Sequence, residues 1–164
     1  MKKQGFTLIE LMVVIVIMGI LAAVAVPKLF GMIAKSKASE VGPAAGTYVK
    51  LQQAYFSERN VAGGWQLIGY MAPSGDVASQ TTNFEYGVGD ILAGAENDLS
   101  SGTPVGWSAK NKSNLNECVS ANDNWTVSLS KATDAAKGDD VTFTSAVASD
   151  GCRALTPTFD KIGK

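Results

Sequence analysis

An apolar run that contains one acidic residue dominates the N-terminus of this 164-residue chain. Two lysines and Gly5 precede the run, and almost every side chain from Phe6 to Val26 is apolar. As a helix, these residues would span about 31 Å, which matches a hydrocarbon core of roughly 30 Å. The sequence therefore predicts one helix that lies in a membrane or in a tight bundle of protein helices.

Glu10 is the anomalous residue of the run, because an ionised carboxylate at the centre of a membrane helix costs about 2.5–3.5 kcal/mol on insertion scales. A buried charge is much less unfavourable when it has a partner of opposite charge. We therefore expect Glu10 to require a partner. A second interpretation is a first-turn acid that the helix dipole favours and that extends toward the headgroups.

The helical pattern continues beyond the apolar run. Apolar side chains recur every three or four residues and predict an amphipathic second half; they are Ala34, Ala38, Val41, Ala45, Tyr48, Leu51 and Tyr55. We call this set the apolar stripe. The helix is predicted to run from about residue 6 to about residue 58, so its second half needs another element to cover the stripe.

Four residues predict bends in this long helix. Pro27 lacks a backbone donor and would crowd the preceding turn, which predicts a kink there, with Gly19 as a second soft point. Gly42 and Pro43 predict a further bend in the second half. Asn60 is a residue type that commonly ends helices, and it predicts the C-terminus of the element.

Beyond the helix, the hydrophobic period changes to two. Residues 61–82 predict a connecting loop with room for a short helix or strand. Four alternating segments follow, centred on Tyr86, Trp107, Val127 and Phe143, and they predict an antiparallel sheet that is polar on one face. Only the apolar stripe remains to cover the other face. The predicted fold class is α+β, in which the C-terminal half of one long kinked N-terminal helix packs on a four-stranded antiparallel sheet.

The two cysteines, Cys118 and Cys152, lie in the distal part of the chain. If 124–131 and 141–148 form a hairpin about a loop centred near Ala135, residues whose numbers sum to about 270 face one another, and the cysteines satisfy that sum. In an exported protein this pair predicts a disulfide, and two buried free thiols are the alternative.

Composition argues against several classes of function. The chain has no histidine, which removes Ser-His-Asp and Cys-His catalysis and the commonest metal ligand. We therefore expect neither an enzyme nor a cofactor. The first 59 residues carry seven basic and three acidic residues, and the remainder carries seven and twelve. General nucleic-acid binding is not expected, because it needs a basic face.

Two acidic loops offer alternatives to this view, as a calcium site or as a pair of catalytic carboxylates. Their acids are Asp90, Glu96 and Asp98 in one loop and Asp134, Asp139 and Asp140 in the other. The spacing fits no calcium loop, and solvated turns are the commoner explanation. The sequence therefore predicts neither a metal site nor a catalytic site in these loops.

The N-terminus closely resembles that of type IV pilins and pilin-like proteins, in the stretch KKQGFTLIELMVVIVIMGILAAVAVP. In that family, a basic leader ends in Gly, the mature chain begins with Phe, a Glu comes four residues later, and a Pro follows near the end of the run. Gly5, Phe6, Glu10 and Pro27 match all four marks. The motif is specific, since a charge inside such a run is rare. It covers about residues 2–30, and the remainder resembles the family in architecture only.

The resemblance implies processing and pairing at named residues. A prepilin peptidase is expected to cut between Gly5 and Phe6 and then to methylate the new amino group of Phe6. In the family this amine pairs with the glutamate of a neighbouring subunit, here Glu10. Such a pair would favour the assembled and correctly registered polymer over the free subunit.

The resemblance also implies three parts, namely a leader peptide (1–5), a transmembrane and polymerisation helix (6–27) and a pilin globular domain (28–164) that includes the C-terminal half of the helix. The precursor would lie in the bacterial inner membrane, and the product would be an extracellular surface filament, a fimbrium, used in adhesion, motility or DNA uptake. The expected partners are other copies of the chain in a helical filament, the prepilin peptidase, the membrane before assembly, and the inner-membrane assembly machinery with its ATPases.

Two alternatives remain open. A pseudopilin of a type II secretion system has the same fold. A signal-anchored or secreted periplasmic binding domain would need only a signal peptide, and Ala23-Val24-Ala25 offers an A-x-A-like cleavage site. Lysines do not decide the orientation, because Lys28, Lys35 and Lys37 follow the span just as two lysines precede it.

Overall fold

The computed structural model describes residues 5–74, 80–120, 122–132 and 140–164. Two consecutive helices form the predicted long element, α1 (Leu8–Ala38) and α2 (Val41–Arg59). Asn60 ends α2 in a left-handed conformation with φ of 59°, and its backbone N–H donates to the carbonyl of Phe56 at 2.8 Å. The element therefore begins and ends within two residues of the bounds that the sequence predicts.

A turn at Ser39 and Glu40 separates the two helices. Gly42 and Pro43 lie in the first turn of α2. Proline has no N–H to donate to the carbonyl of Ser39, four residues earlier, and its ring crowds that carbonyl, which accounts for the position of the turn. The helical pattern resumes at once, since Ala44 donates its N–H to the carbonyl of Glu40 at 3.3 Å.

A four-stranded antiparallel sheet packs against α2. Its strands are β2 (Phe84–Gly87), β4 (Val105–Asn111), β5 (Trp125–Lys131) and β6 (Val141–Val147), in the order β2-β4-β5-β6. These are the four strands that the two-residue period predicts. Two short strands that the sequence did not place, β1 (Ala62–Gly63) and β3 (Glu96–Asn97), form a separate small antiparallel sheet.

The core lies between α2 and the four-stranded sheet. Five residues of the predicted apolar stripe are buried, namely Ala34, Ala38, Val41, Ala45 and Tyr48. Leu51 and Tyr55 are only partly buried, and Gln52 and Phe56 are fully buried instead. The buried row thus continues from Tyr48 in steps of four residues, which correspond to one turn of helix. Leu51 and Tyr55 pack against the core from its edge, one residue position from the fully buried row.

Tyr70 links the loop after β1 to both α2 and the sheet. Its hydroxyl donates to the carbonyl of Ala44 at 3.1 Å and accepts from the indole Nε1 of Trp107 at 2.9 Å. Its ring also makes an edge contact with Trp65, at a centroid distance of 4.8 Å. Burial raises the pKa of Tyr70 to about 12. The phenol of Tyr70 therefore keeps its proton in the folded core up to about pH 12.

The predicted disulfide is present between Cys118 and Cys152. The predicted route to it was only partly right, because the ladder between β5 and β6 pairs Trp125 with Val147, two residues from the predicted register, and then ends. Cys118 lies in a turn before β5, and Cys152 lies in the short helix α3 (Asp150–Arg153). The hairpin brings the flanking segments together, and the turn and the helix complete the approach.

Candidate functional site at the N-terminal helix

The first half of α1 exposes its entire apolar surface. Every large apolar side chain from Phe6 to Val26 has an exposed fraction between 45% and 83%. Ala34 is the first residue of α1 that is buried, with an exposed fraction of 4%. A continuous apolar surface of this size is typical of a site that contacts lipid or another protein. By length and composition, the helical segment Leu8–Arg59 can cross a membrane, and signal sequences meet the same criterion.

Glu10 lies in the first turn of α1, where Thr7 holds its carboxylate. The backbone N–H and the hydroxyl of Thr7 both donate to Oε2 of Glu10, at 2.8 Å and 2.6 Å. In return, the N–H of Glu10 donates to Oγ1 of Thr7 at 3.4 Å, which completes a capping box. Within the described residues, Oε1 of Glu10 accepts no hydrogen bond. One carboxylate oxygen is thus fixed, while the other can accept from a donor outside the chain.

Thr7 is the site residue that the sequence reasoning missed. The sequence predicts that Glu10 needs a partner, and the structure provides an intramolecular one three residues earlier. The signal was present as a threonine followed three residues later by a glutamate, just ahead of a hydrophobic run, which is the capping-box pattern. Because capping uses only Oε2, the first-turn role of Glu10 and a pairing role are compatible.

The predicted cleavage site lies just outside the helix. Gly5, Phe6 and Thr7 are exposed and have no helical or strand assignment, and α1 begins at Leu8. Of the predicted leader, residues 1–4 lie outside the described residues. The peptide bond after Gly5 is therefore in exposed backbone, where a peptidase could bind it without first unwinding a helix.

The bends predicted at Gly19 and Pro27 remain predictions. Both residues lie inside α1, whose helical assignment continues through them from Leu8 to Ala38. An added Cβ at Gly19 would meet no atom within 4 Å, which fits a helix surface with no neighbour at that point.

The acids of the first loop accept hydrogen bonds from β4, from α2 and from their own turn. Asp90 accepts from the backbone N–H of Val105 at 2.7 Å, and Glu96 accepts from the hydroxyl of Tyr55 at 2.5 Å. Hydrogen bonds from Ser100 hold the pKa of Asp98 below its usual range. Asp134, Ala135 and Asp139 lie outside the described residues. In the part of the chain that the structure describes, no three metal-ligating side chains cluster together.

Comparison with known proteins identifies the class of the N-terminal segment. Residues 1–26 match the family described as "Prokaryotic N-terminal methylation motif". The match covers the predicted cleavage site, the capping box and Glu10, and it ends just before Pro27. The segment with the exposed apolar surface is therefore the segment that carries the family motif.

Several relatives are pilin or fimbrial proteins. The type IV major pilin protein PilA of Myxococcus xanthus is 44% identical over 59 residues, which cover 36% of this chain and 27% of that protein. The fimbrial protein EcpC of Eikenella corrodens is 46% identical over 59 residues, with coverage of 36% and 39%. The type IV major fimbrial protein FimA of Dichelobacter nodosus is 56% identical over 39 residues, with coverage of 24% and 25%.

The chain thus carries an N-terminal methylation motif and is similar, over 39 to 59 residues, to type IV pilin and fimbrial proteins. The matched region spans only between 25% and 39% of the length of these three relatives. No solved structure matches the chain. The similarity thus concerns a limited part of each protein.

Proposed function

We propose that this chain is a structural subunit of a type IV pilus, which is processed after Gly5 and polymerises through its apolar N-terminal helix into a surface filament. The observation that carries the proposal is the division of the chain into two parts. The globular domain has a closed core between α2 and the sheet, and residues 6–30 contribute no buried side chain to it. An apolar helix that its own domain leaves uncovered is what a subunit needs in order to pack with its copies.

In this proposal the helix has two successive environments. Residues 6–27 span the bacterial inner membrane in the precursor, and the same residues pack against neighbouring copies in the filament, while 28–164 form the outer wall. Both environments are apolar, so transfer between them does not expose the helix to water. Assembly machinery of the inner membrane, with its ATPases, is expected to drive the transfer.

Glu10 has a defined part in the proposed assembly. The methylated amino group of Phe6 from a neighbouring copy would bind to Oε1 of Glu10, because Thr7 already occupies Oε2. An unpaired ionised carboxylate in a membrane helix costs about 2.5–3.5 kcal/mol. Subunits that stack out of register would lose the pair, so the charge would select the correct register.

The processing step can be tested on protein recovered from cells, by N-terminal sequencing and intact mass. The proposal expects a chain that begins with N-methyl-Phe6. A chain that begins at Val26 would indicate a cleaved signal peptide and a secreted domain, and an unprocessed Met1 would remove the pilin proposal. Electron microscopy of cells with and without the gene then separates the filament types. Filaments confined to the periplasm would indicate a pseudopilin.

The assembly step can be tested with Glu10→Ala and Glu10→Gln. Both variants are expected to be processed normally, since the cleaved bond lies four residues away, and both are expected to form far fewer filaments. Glu58→Ala is the matched control, because it removes an exposed acid from the same long helix outside the span. Normal filament numbers from Glu10→Ala, with mature protein at the level of the control, would contradict the proposed pairing.

A further inference from the structure

A groove lies beside α1 immediately after the proposed span. Its volume is about 560 Å³. One wall comprises Lys28, Met32 and Lys35 of α1, and the other includes Asn116, Glu117 and Leu155 near the disulfide. The two walls approach closely at Gly31, where an added Cβ would lie 3.9 Å from Nδ2 of Asn116. The groove is therefore formed by the junction of α1 with the disulfide-bonded part of the domain.

Two free cations face this groove from one side of the helix. Lys28 and Lys35 are seven residues apart, which is close to two helical turns, so they share a face of α1. Both are exposed. Among the described residues, neither makes an ion pair. Their ammonium groups are thus available to a ligand with negative charge.

The position of the two lysines relative to the proposed membrane span narrows the choice of ligand. At 1.5 Å per residue, Lys28 lies about 2 Å beyond Pro27 and Lys35 about 12 Å beyond it. The headgroup layer on each side of a bilayer is roughly 5–8 Å thick and begins where the hydrocarbon ends. The two lysines therefore bracket the layer that holds lipid phosphates.

We propose that this groove binds the phosphodiester headgroup of an anionic phospholipid while the subunit is in the membrane. Lys28 and Lys35 bind the phosphate, and Glu117 accepts a hydrogen bond from a headgroup hydroxyl. Two lysines and one glutamate leave a formal charge of +1, which a single phosphodiester neutralises. Met32, which lies between the two lysines along α1, and Leu155 supply apolar contacts for the methylene carbons of the headgroup.

This inference rests on the membrane-inserted precursor of the proposed function, and it extends that proposal by assigning a lipid. It also explains why basic residues follow the span on the side away from the leader. Such residues oppose the usual bias for lysines on the cytoplasmic side. In this proposal, the two lysines bind headgroups in the leaflet of the inner membrane that faces away from the leader. Their role is to bind lipid and not to set the orientation of the span.

The test uses the full chain in bilayer nanodiscs that contain equal amounts of phosphatidylglycerol and phosphatidylcholine, with native mass spectrometry of the lipids that remain bound. The wild type is expected to retain phosphatidylglycerol in preference to phosphatidylcholine. Each lysine-to-glutamine change is expected to weaken this preference about 5-fold, and Lys28→Gln with Lys35→Gln about 30-fold. Glu117→Gln keeps an oxygen that can accept from the headgroup hydroxyl and removes a negative charge near the phosphate, so it is expected to strengthen the preference. Lys50→Gln, an exposed lysine on α2 away from the groove, is the matched control and is expected to have no effect.

Equal retention of both lipids by the wild type would overturn the inference, and so would an unchanged preference in the double variant. A double variant that keeps the lipid preference but forms fewer filaments would show that the lysines contact a neighbouring copy instead. N-terminal sequencing of the same preparation distinguishes failure of the lipid site from failure of the proposed pilin function. A chain that begins at Val26 has lost its span and removes the proposed function, whereas one that begins at Phe6 and lacks lipid preference removes only the lipid site.

Discussion

Removal of the disulfide between Cys118 and Cys152 is expected to destabilise the globular domain substantially. The two cysteines are 34 residues apart. For a loop of about 35 residues, the chain-entropy relation gives up to about 3.8 kcal/mol, because the bridge restricts the unfolded chain. The loop contains both β5 and β6. In the unfolded chain, reduction therefore removes a restriction on the residues that form half of the four-stranded sheet.

Local hydrogen bonds are expected to hold the folded geometry when the bridge is absent. The side-chain amide of Asn111 donates to the carbonyl of Cys118 at 3.1 Å, and the backbone N–H of Cys152 donates to the hydroxyl of Ser149 at 3.3 Å. Neither bond depends on the sulfur atoms. The loss should therefore appear as lower stability of an intact fold rather than as a rearranged domain.

Urea unfolding of the full chain in detergent, followed by tryptophan fluorescence, measures this loss. Three samples are needed, namely the oxidised wild type, the reduced wild type and Cys118→Ala with Cys152→Ala. With a denaturant slope of about 2 kcal/mol/M, the midpoint is expected to fall by about 2 M. The reduced wild type keeps both sulfur atoms, so it separates the effect of the cross-link from the effect of packing. A fall of less than about 0.5 M on reduction would refute the chain-entropy argument.

Three further predictions concern the core. Burial raises the pKa of Tyr70 from 10.0 to about 12, so its stabilisation is complete below pH 10 and is lost as the pH rises to 12; Tyr70→Phe should reduce the pH dependence of unfolding in that window by one proton. Gly106→Ala would place a Cβ 2.0 Å from the hydroxyl oxygen of Tyr48, so it should destabilise the fold by about 1–3 kcal/mol in the same urea assay. Gly46 lies on a helix, and an added Cβ there would meet no atom within 4 Å, so Gly46→Ala should stabilise the fold by about 1 kcal/mol. Among the described residues, no group hydrogen-bonds the fully buried amide of Gln52. Gln52→Met should therefore raise the unfolding free energy by about 1–3 kcal/mol, and a loss of stability would contradict this.

Local patterns in the sequence were sufficient to predict the long helical element and the four strands of the main sheet. The alternation around Tyr86, Trp107, Val127 and Phe143 predicted all four strands of the main sheet, because a half-buried strand needs its apolar side chains on one face. Asn60 predicted the end of the long helix for a similarly local reason, since it tolerates a left-handed conformation. These features depend on neighbours within a few residues.

Features that depend on contacts between distant parts of the chain were harder to predict from the sequence. The sequence placed Leu51 and Tyr55 in the apolar stripe, but Gln52 and Phe56 are the fully buried residues, and the angle at which α2 packs on the rest of the domain decides which row is covered. The strands β1 and β3 are only two residues long, too short for any period to be visible. The disulfide was predicted, yet a turn and the helix α3, rather than the ladder, bring its cysteines together.

The sequence by itself determined that the apolar N-terminal run forms a helix and that Glu10 is an acid in an unfavourable place. The capping box between Thr7 and Glu10 is a local contact whose pattern the sequence also carries, and the structure shows that it uses only one oxygen of Glu10. Only the tertiary structure decided that residues 6–30 remain uncovered by their own domain. The physical reason is that the composition of a segment sets its need to leave water, whereas the arrangement of all the other elements determines whether that need is met within the chain.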